Sequence, residues 1–211
     1  MSATGIIVTL SPRDYDAVLF DLDGVVTRTA SVHAAAWKRL FDELLETHVA
    51  RGGAAFEPFD PETDYRRLVD GKPRHDGVVA FLSSRGIDLP EGRSDDPPGT
   101  QSVYALGKLK DRYFHEHLHA HGADVYGSTV DLIRALRAQD VRTAVVSSSS
   151  NCRAVLEAAR IENLFDVRVD GTDIEPLHLQ GKPAPDVFLE AARRLRVEPS
   201  RAVVVEDAIA G

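Results

Sequence analysis

The sequence predicts an α/β fold, namely a Rossmann-like three-layer core with a mainly parallel sheet, plus an inserted α-helical cap. Three observations predict it. Of four short β-rich runs, three are almost continuously apolar, the pattern of strands buried on both faces of a parallel sheet. Helical periodicities with short connections alternate with the later runs. Roughly 120 residues separate the first run from the second, where a crossover between parallel strands needs only about a dozen.

Taken in order, Ala17–Phe20 is the first apolar run. The long interval after it opens with a helical stripe of Val32, Ala36, Trp37, Leu40, Phe41, Leu44 and Leu45. A second stripe, Val103, Leu106, Leu109, Tyr113, Phe114 and Leu118, predicts another helix, with Gly122 placed to end it. Between them, Arg51–Pro61 and Pro90–Gly99 are rich in Gly, Pro and Asp and predict loops. Val130, Ile133 and Leu136 follow Ser128, a residue able to cap their helix. The run Val141–Val146 comes next, then a helix of Val155, Leu156 and Ala159 for which Asn151 is the expected cap. Phe165–Val169 is more mixed, with Asp166 and Arg168 alternating. Val187, Phe188, Ala191, Ala192 and Leu195 form a helical pattern after Pro185, and Ala202–Val205 is the last apolar run. These limits divide the chain into a discontinuous core, residues 1–28 and 126–211, and a helical cap, residues 29–125.

The chain has 211 residues, 33 acidic and 25 basic, for a net charge of −8. That balance disfavours nucleic acid or an anionic membrane as the main partner, because both are bound by clustered Lys and Arg. Hydrophobic residues at 43% and charged residues at 27% predict a folded chain that buries a core. A single cysteine, Cys152, forms no internal disulfide, and the apolar run Ile6–Leu10 is too short for a membrane span or a signal-peptide core. The expectation is a cytoplasmic protein, monomeric rather than oligomeric, with a small-molecule substrate.

Each core run is followed directly by polar residues. Asp21-Leu22-Asp23-Gly24 follows the first, Ser147 to Asn151 the second and Glu206-Asp207 the last, while Lys182 lies in a Gly-Lys-Pro-Ala-Pro loop before a helix. Ligands bind at the carboxyl ends of strands in open α/β sheets, so these groups can converge although distant in sequence. Crowded carboxylates repel one another unless a cation neutralises them, and oxygen ligands with a phosphate substrate favour Mg²⁺. One carboxylate can then attack phosphorus while another exchanges protons, and Ser147 and Lys182 suit the charge of a transferring phosphoryl group. The residue types point to phosphoryl transfer through an aspartyl-phosphate.

In that order, Asp21-Leu22-Asp23-Gly24-Val25, the Ser147 motif, Lys182-Pro183 and Glu206-Asp207 resemble the four motifs of the haloacid dehalogenase superfamily over nearly the whole chain. The resemblance implies Asp21 as nucleophile and Asp23 as general acid/base. It implies Ser147 and Lys182 as phosphoryl ligands. It also implies Mg²⁺ held by Asp21, the Asp23 carbonyl and Asp207, with Glu206 in or beside that shell. The stretch Asp21–Thr29 with His33 and Trp37 is similar to the opening of the β-phosphoglucomutase-like subgroup, in which Thr29 and His33 would flank the catalytic loop. Gly71-Lys72-Pro73-Arg74 resembles that subgroup's cap segment, making Arg74 the ligand of a distal phosphate. Lys110 matches a cap lysine that is followed there by Asn rather than Asp111. Ser147-Ser148-Ser149-Ser150-Asn151 matches the second motif and brings Ser148 and Asn151 into the substrate set, with Ser150 where a Lys is common. The implied activity is interconversion of β-glucose 1-phosphate and glucose 6-phosphate, with a sugar-phosphate phosphatase as the alternative. The family continues past its fourth motif with a helix and usually a strand, so a core truncated at its C-terminus, or a non-catalytic fragment, is a further expectation.

A competing pattern is His115-Glu116-His117-Leu118-His119, which fits the H-E-x-x-H of a zinc peptidase with His115 and His119 on one helix face. No third ligand is evident, and histidines near a helix end also favour the dipole by position.

Overall fold

The computed structural model describes residues 11–97 and 99–208. The apolar run Ile6–Leu10 lies outside them. Four strands, β1 (Ala17–Asp21), β2 (Arg142–Val146), β3 (Val167–Val169) and β4 (Ala202–Val205), form one parallel sheet in the order β3-β2-β1-β4. The α/β class with a parallel sheet is therefore as predicted. β1 is central and buried along its whole length. Its side chains alternate between two cores: Val18 and Phe20 face one, Ala17 and Leu19 the other. Helix α4 (Gly127–Arg137) and α5 (Cys152–Ala159) cover the first face; after the four-residue α6 (Gly171–Ile174), α7 (Asp186–Leu195) covers the second through Val187, Ala191 and Leu195.

Between β1 and β2 in sequence lie α1 (Ala30–Ala50), a π-helical turn (Tyr65–Val69), α2 (Arg74–Arg85) and α3 (Val103–His121). The seven apolar positions of the α1 stripe are all buried. Phe41 stacks on Phe81 of α2 with centroids 3.7 Å apart, and each such ring contributes about 1.5–3 kcal/mol by burial. The two chain crossings between sheet and helices run side by side. Arg28 N–H donates to Asp124 O at 2.9 Å and Tyr126 N–H to Val26 O at 2.9 Å, with an antiparallel bridge from Thr27 to Val125.

Local details differ from expectation for identifiable reasons. β3 starts at Val167 rather than Phe165, because the Asp166 carboxylate turns back onto β2, accepting from Thr143 N–H at 2.8 Å and pairing with Arg137 at 2.6 Å. Ser128 does not cap α4; the helix begins one residue earlier, with Tyr126 at the N-cap position. Asn151 occupies the N-cap position of α5, but its side chain makes no capping hydrogen bond and faces α3 instead. In contrast, Ser102 does cap α3, its hydroxyl accepting from Ala105 N–H at 3.2 Å, and α3 ends at Gly122 with φ of 73°. None of the described helices is long and apolar enough to cross a membrane.

Candidate active site at the carboxyl ends of the strands

β1 delivers Asp21 at its last position, and the chain then turns tightly, with Gly24 N–H donating to Thr27 O at 2.8 Å and Thr27 N–H to Leu22 O at 2.9 Å. Gly24 adopts φ of 96°, and a Cβ there would collide with the Asp207 carboxylate. Both the backbone conformation and the close approach require glycine. The turn aims Asp23 toward Thr29, whose hydroxyl donates to it; Thr29 is in turn 2.6 Å from the Thr27 hydroxyl, which bonds Leu22 O at 3.1 Å. Ser147, at the end of β2, places Oγ 3.4 Å from Asp23 Oδ2.

Lys182 is buried and pairs with both Asp21 and Glu206. Burial pushes the Asp21 carboxyl well above its usual range, and Glu206 and Asp23 repel it further while Lys182 opposes them. Burial also disfavours charge on Lys182, but Asp21 and Glu206 outweigh that and hold its pKa above the ordinary lysine value. Asp207 is raised too, by burial and then by Glu206. Carboxylate oxygens of Asp21, Glu206 and Asp207 lie within 4.8 Å of one another, so three acids crowd together beside one lysine that pairs with two of them. A hard divalent cation would balance that charge, and an all-oxygen donor set fits Mg²⁺.

The helices supply an opposing wall. Lys110 of α3 is 3% exposed, and its Nζ donates to Nδ1 of His33 at 2.6 Å. That leaves His33 Nε2 facing Asp23 Oδ1 at 3.4 Å, with the imidazole stacked 4.2 Å from Phe114. Burial pushes Lys110 down to about 7. His33 is lowered by burial and then by Lys110. Burial resists ionisation of Asp23, yet His33 and Thr29 hold its pKa at about 2. Arg74, the first residue of α2, lies 2.6 Å from Asp111.

A cavity of about 50 Å³ separates the two walls and is lined by Asp21, Asp23, His33, Arg74, Lys110, Ser147, Ser148 and Glu206 of the expected set. Thr29, Lys182 and Asn151 reach this region through Asp23, Asp21 and Asp111 respectively. Tyr65, Asp70 and Lys72 also line it, on the π-helical turn and the loop after it. Sequence reasoning missed Tyr65 and Asp70 and named Lys72 only within the Gly71–Arg74 segment, since residues 62–73 carry no clear periodicity. Ser148 ties the walls together by donating to Gly71 O at 2.7 Å. A larger cavity of about 430 Å³ between α1 and α3 has Leu40, Leu44 and Leu106 in its lining and contains none of the strand-end acids. Among the described residues, Asp21, Glu206 and Asp207 are the one group of three metal-ligating side chains within reach of one another; His115 instead meets Asn151 Oδ1 at 3.0 Å, and neither it nor His119 belongs to such a group.

Fold and site together define an α/β protein with an acidic, lysine-bearing centre at its strand ends beneath a helical layer. A family model for haloacid dehalogenase-like hydrolases matches residues 15–211. A β-phosphoglucomutase of Mycobacterium bovis is 47% identical over 200 residues, covering 95% of this chain and 76% of that protein. Among solved structures, β-phosphoglucomutase from Clostridium difficile superimposes with a TM-score of 0.74 at 23% identity, covering 93% of this chain and 78% of that one. CbbY from Rhodobacter sphaeroides, solved in complex with phosphate, gives 0.66 at 25% identity, covering 93% and 80%. The chain belongs to the haloacid dehalogenase-like hydrolase family, in its β-phosphoglucomutase-like subgroup, and is an enzyme acting on phosphate groups.

Proposed function

We propose that the protein is a β-phosphoglucomutase, moving a phosphoryl group between β-glucose 1-phosphate and glucose 6-phosphate through an aspartyl-phosphate on Asp21, with residues 29–125 acting as a cap over a core of residues 1–28 and 126–211. The observation that carries this reading is that one small cavity has groups suited to phosphate on both walls, Ser147 with Lys182 behind Asp21 on the core side and Arg74 on the helical side. A mutase holding a bisphosphate needs two such sites.

In this reading Asp21 carries a phosphoryl group taken from glucose 1,6-bisphosphate; the 6-hydroxyl of β-glucose 1-phosphate attacks its phosphorus while the bond from phosphorus to the Asp21 oxygen breaks, and the Asp23 carboxylate takes the hydroxyl proton. Asp21 then attacks the phosphorus on the sugar's C1 oxygen, the bond from phosphorus to that oxygen breaks, and Asp23 returns the proton to it, giving glucose 6-phosphate. Thr29 and His33 hold Asp23 in place. Lys182 and Ser147 balance charge on the transferring group. Asp21, Asp207 and the Asp23 carbonyl, with Glu206 beside them, would hold Mg²⁺, which screens their repulsion and the charge of the phosphoryl oxygens. A 50 Å³ cavity accommodates a water or two but no hexose, so the walls separate to admit substrate and close for chemistry. Closure excludes solvent water, which favours transfer to a sugar over hydrolysis.

The test is incubation with Mg²⁺, β-glucose 1-phosphate and a trace of glucose 1,6-bisphosphate, followed by phosphorus NMR. Glucose 6-phosphate forming without inorganic phosphate is the expected result. Accumulating inorganic phosphate would instead mark a phosphatase using the same Asp21.

A further inference from the structure

At the seam between helices and core, a single carboxylate oxygen engages Arg74, which the proposed function assigns to the substrate's second phosphate, and Asn151, which the sequence resemblance places in the substrate set. Asp111 Oδ1, on α3, accepts from the Asn151 side-chain amide at 2.6 Å and lies 2.6 Å from Arg74 Nη1. The other end of that amide, Asn151 Oδ1, is 3.0 Å from His115 Nε2, one turn further along α3. Three segments remote in sequence, the starts of α2 and α5 and the middle of α3, therefore meet around one anion.

Arg74 and Asn151 together make a donor set suited to a phosphate, a planar cation beside an amide N–H. The Arg74 and Asp111 side chains are about one-third exposed, at 35% and 29%, so their pairing adds little stability by itself. Asn151 is buried, and an unpartnered buried amide is costly; Asp111 and His115 satisfy both its ends when no ligand does. A substrate phosphate arriving here meets a like charge already seated on its ligands.

We propose that Asp111 is an internal stand-in for the substrate's second phosphate, holding Arg74 and Asn151 across the closed seam until a sugar bisphosphate displaces it. The inference rests on the reading that Arg74 and Asn151 receive that phosphate. Exchanging one anion for another keeps the cleft closed without substrate. It also selects for a ligand that competes more strongly than a carboxylate, a dianionic phosphate rather than a neutral sugar.

Calorimetric titration of the full chain with glucose 1,6-bisphosphate tests this, every protein carrying Asp21→Asn to stop turnover. Asp111→Asn and Asp111→Ala should both bind the bisphosphate more tightly, by about three- to tenfold, since each removes the competing charge. Arg74→Ala should bind at least tenfold more weakly. If Arg74→Ala weakens binding but both Asp111 variants bind equally or more weakly than the parent, Asp111 orients Arg74 and the stand-in is overturned. If Arg74→Ala changes nothing, the second-phosphate reading fails and takes this inference with it.

Discussion

The two walls of the cleft are built by different means. On the core side, Asp21, Ser147 and Glu206 sit at or just beyond the ends of β1, β2 and β4, so the sheet register itself sets their spacing: Asp21 lies opposite Val146, one residue before Ser147. On the helical side, Lys110 and His33 reach the cleft on long or stacked side chains held by each other and by aromatic rings, and Arg74 is held by Asp111. Backbone placement suits the reacting atoms, which tolerate displacements of only a fraction of an ångström. Side-chain placement suits groups that must let go and re-form as the cleft opens.

Substitutions should expose that contrast. The largest effect belongs to Asp21→Asn, which removes the nucleophile and should reduce turnover by about 10⁴-fold or more in a coupled glucose 6-phosphate assay, with the fold retained by circular dichroism. Arg74→Ala should cost turnover of β-glucose 1-phosphate about 10²-fold while reducing hydrolysis of a small aryl phosphate much less; equal losses would mean that the walls do not divide the work.

Lys110 gives a pH signature. Its folded pKa of about 7 lies below the ordinary lysine value, so between about pH 7 and 10 the unfolded chain binds the extra proton. Stability contributed by this site therefore rises with pH across that window. Denaturant melts should show Lys110→Met relatively more stable than the wild type near pH 7, with the gap closing toward pH 10. A gap constant with pH would mean that Lys110 keeps its proton in the fold. The smallest effects concern caps. Ser102→Ala should lower stability by about 1 kcal/mol, whereas Ser128→Ala should change it by less than about 0.5 kcal/mol in the same melts.

The contrast between the walls also explains what is legible in the sequence. The strand-end residues stand out because an apolar run that stops at Asp21 or Ser147 announces both a buried strand and what its end presents. Helical-wall residues have no such frame: Arg74 and Lys110 read as ordinary surface charges until a resemblance singles them out, and Lys110 is nearly inaccessible. Tyr65 and Asp70 carry no signal because a five-residue π-helical turn, with Asp70 just past its end, is too short for a period to show. Asn151 misleads for a related reason, since a capping residue and a cross-seam hydrogen-bond donor look alike before α3 is folded against α5. Ser128 fails as a cap because Gly127, one position earlier, already starts the helix.

The paired passage between sheet and helices has a mechanical corollary. A single tether would let the helical layer swivel and twist, but here residues 26–28 and 124–126 run as a short two-stranded ribbon joined by hydrogen bonds. Such a ribbon bends far more easily than it shears, so the layer is left one soft coordinate, a flap-like tilt about the ribbon. In the proposed cycle of opening and closing, each return along that coordinate would bring Arg74 and Lys110 back over Asp21 and Asp23 in the same register, with no search among orientations.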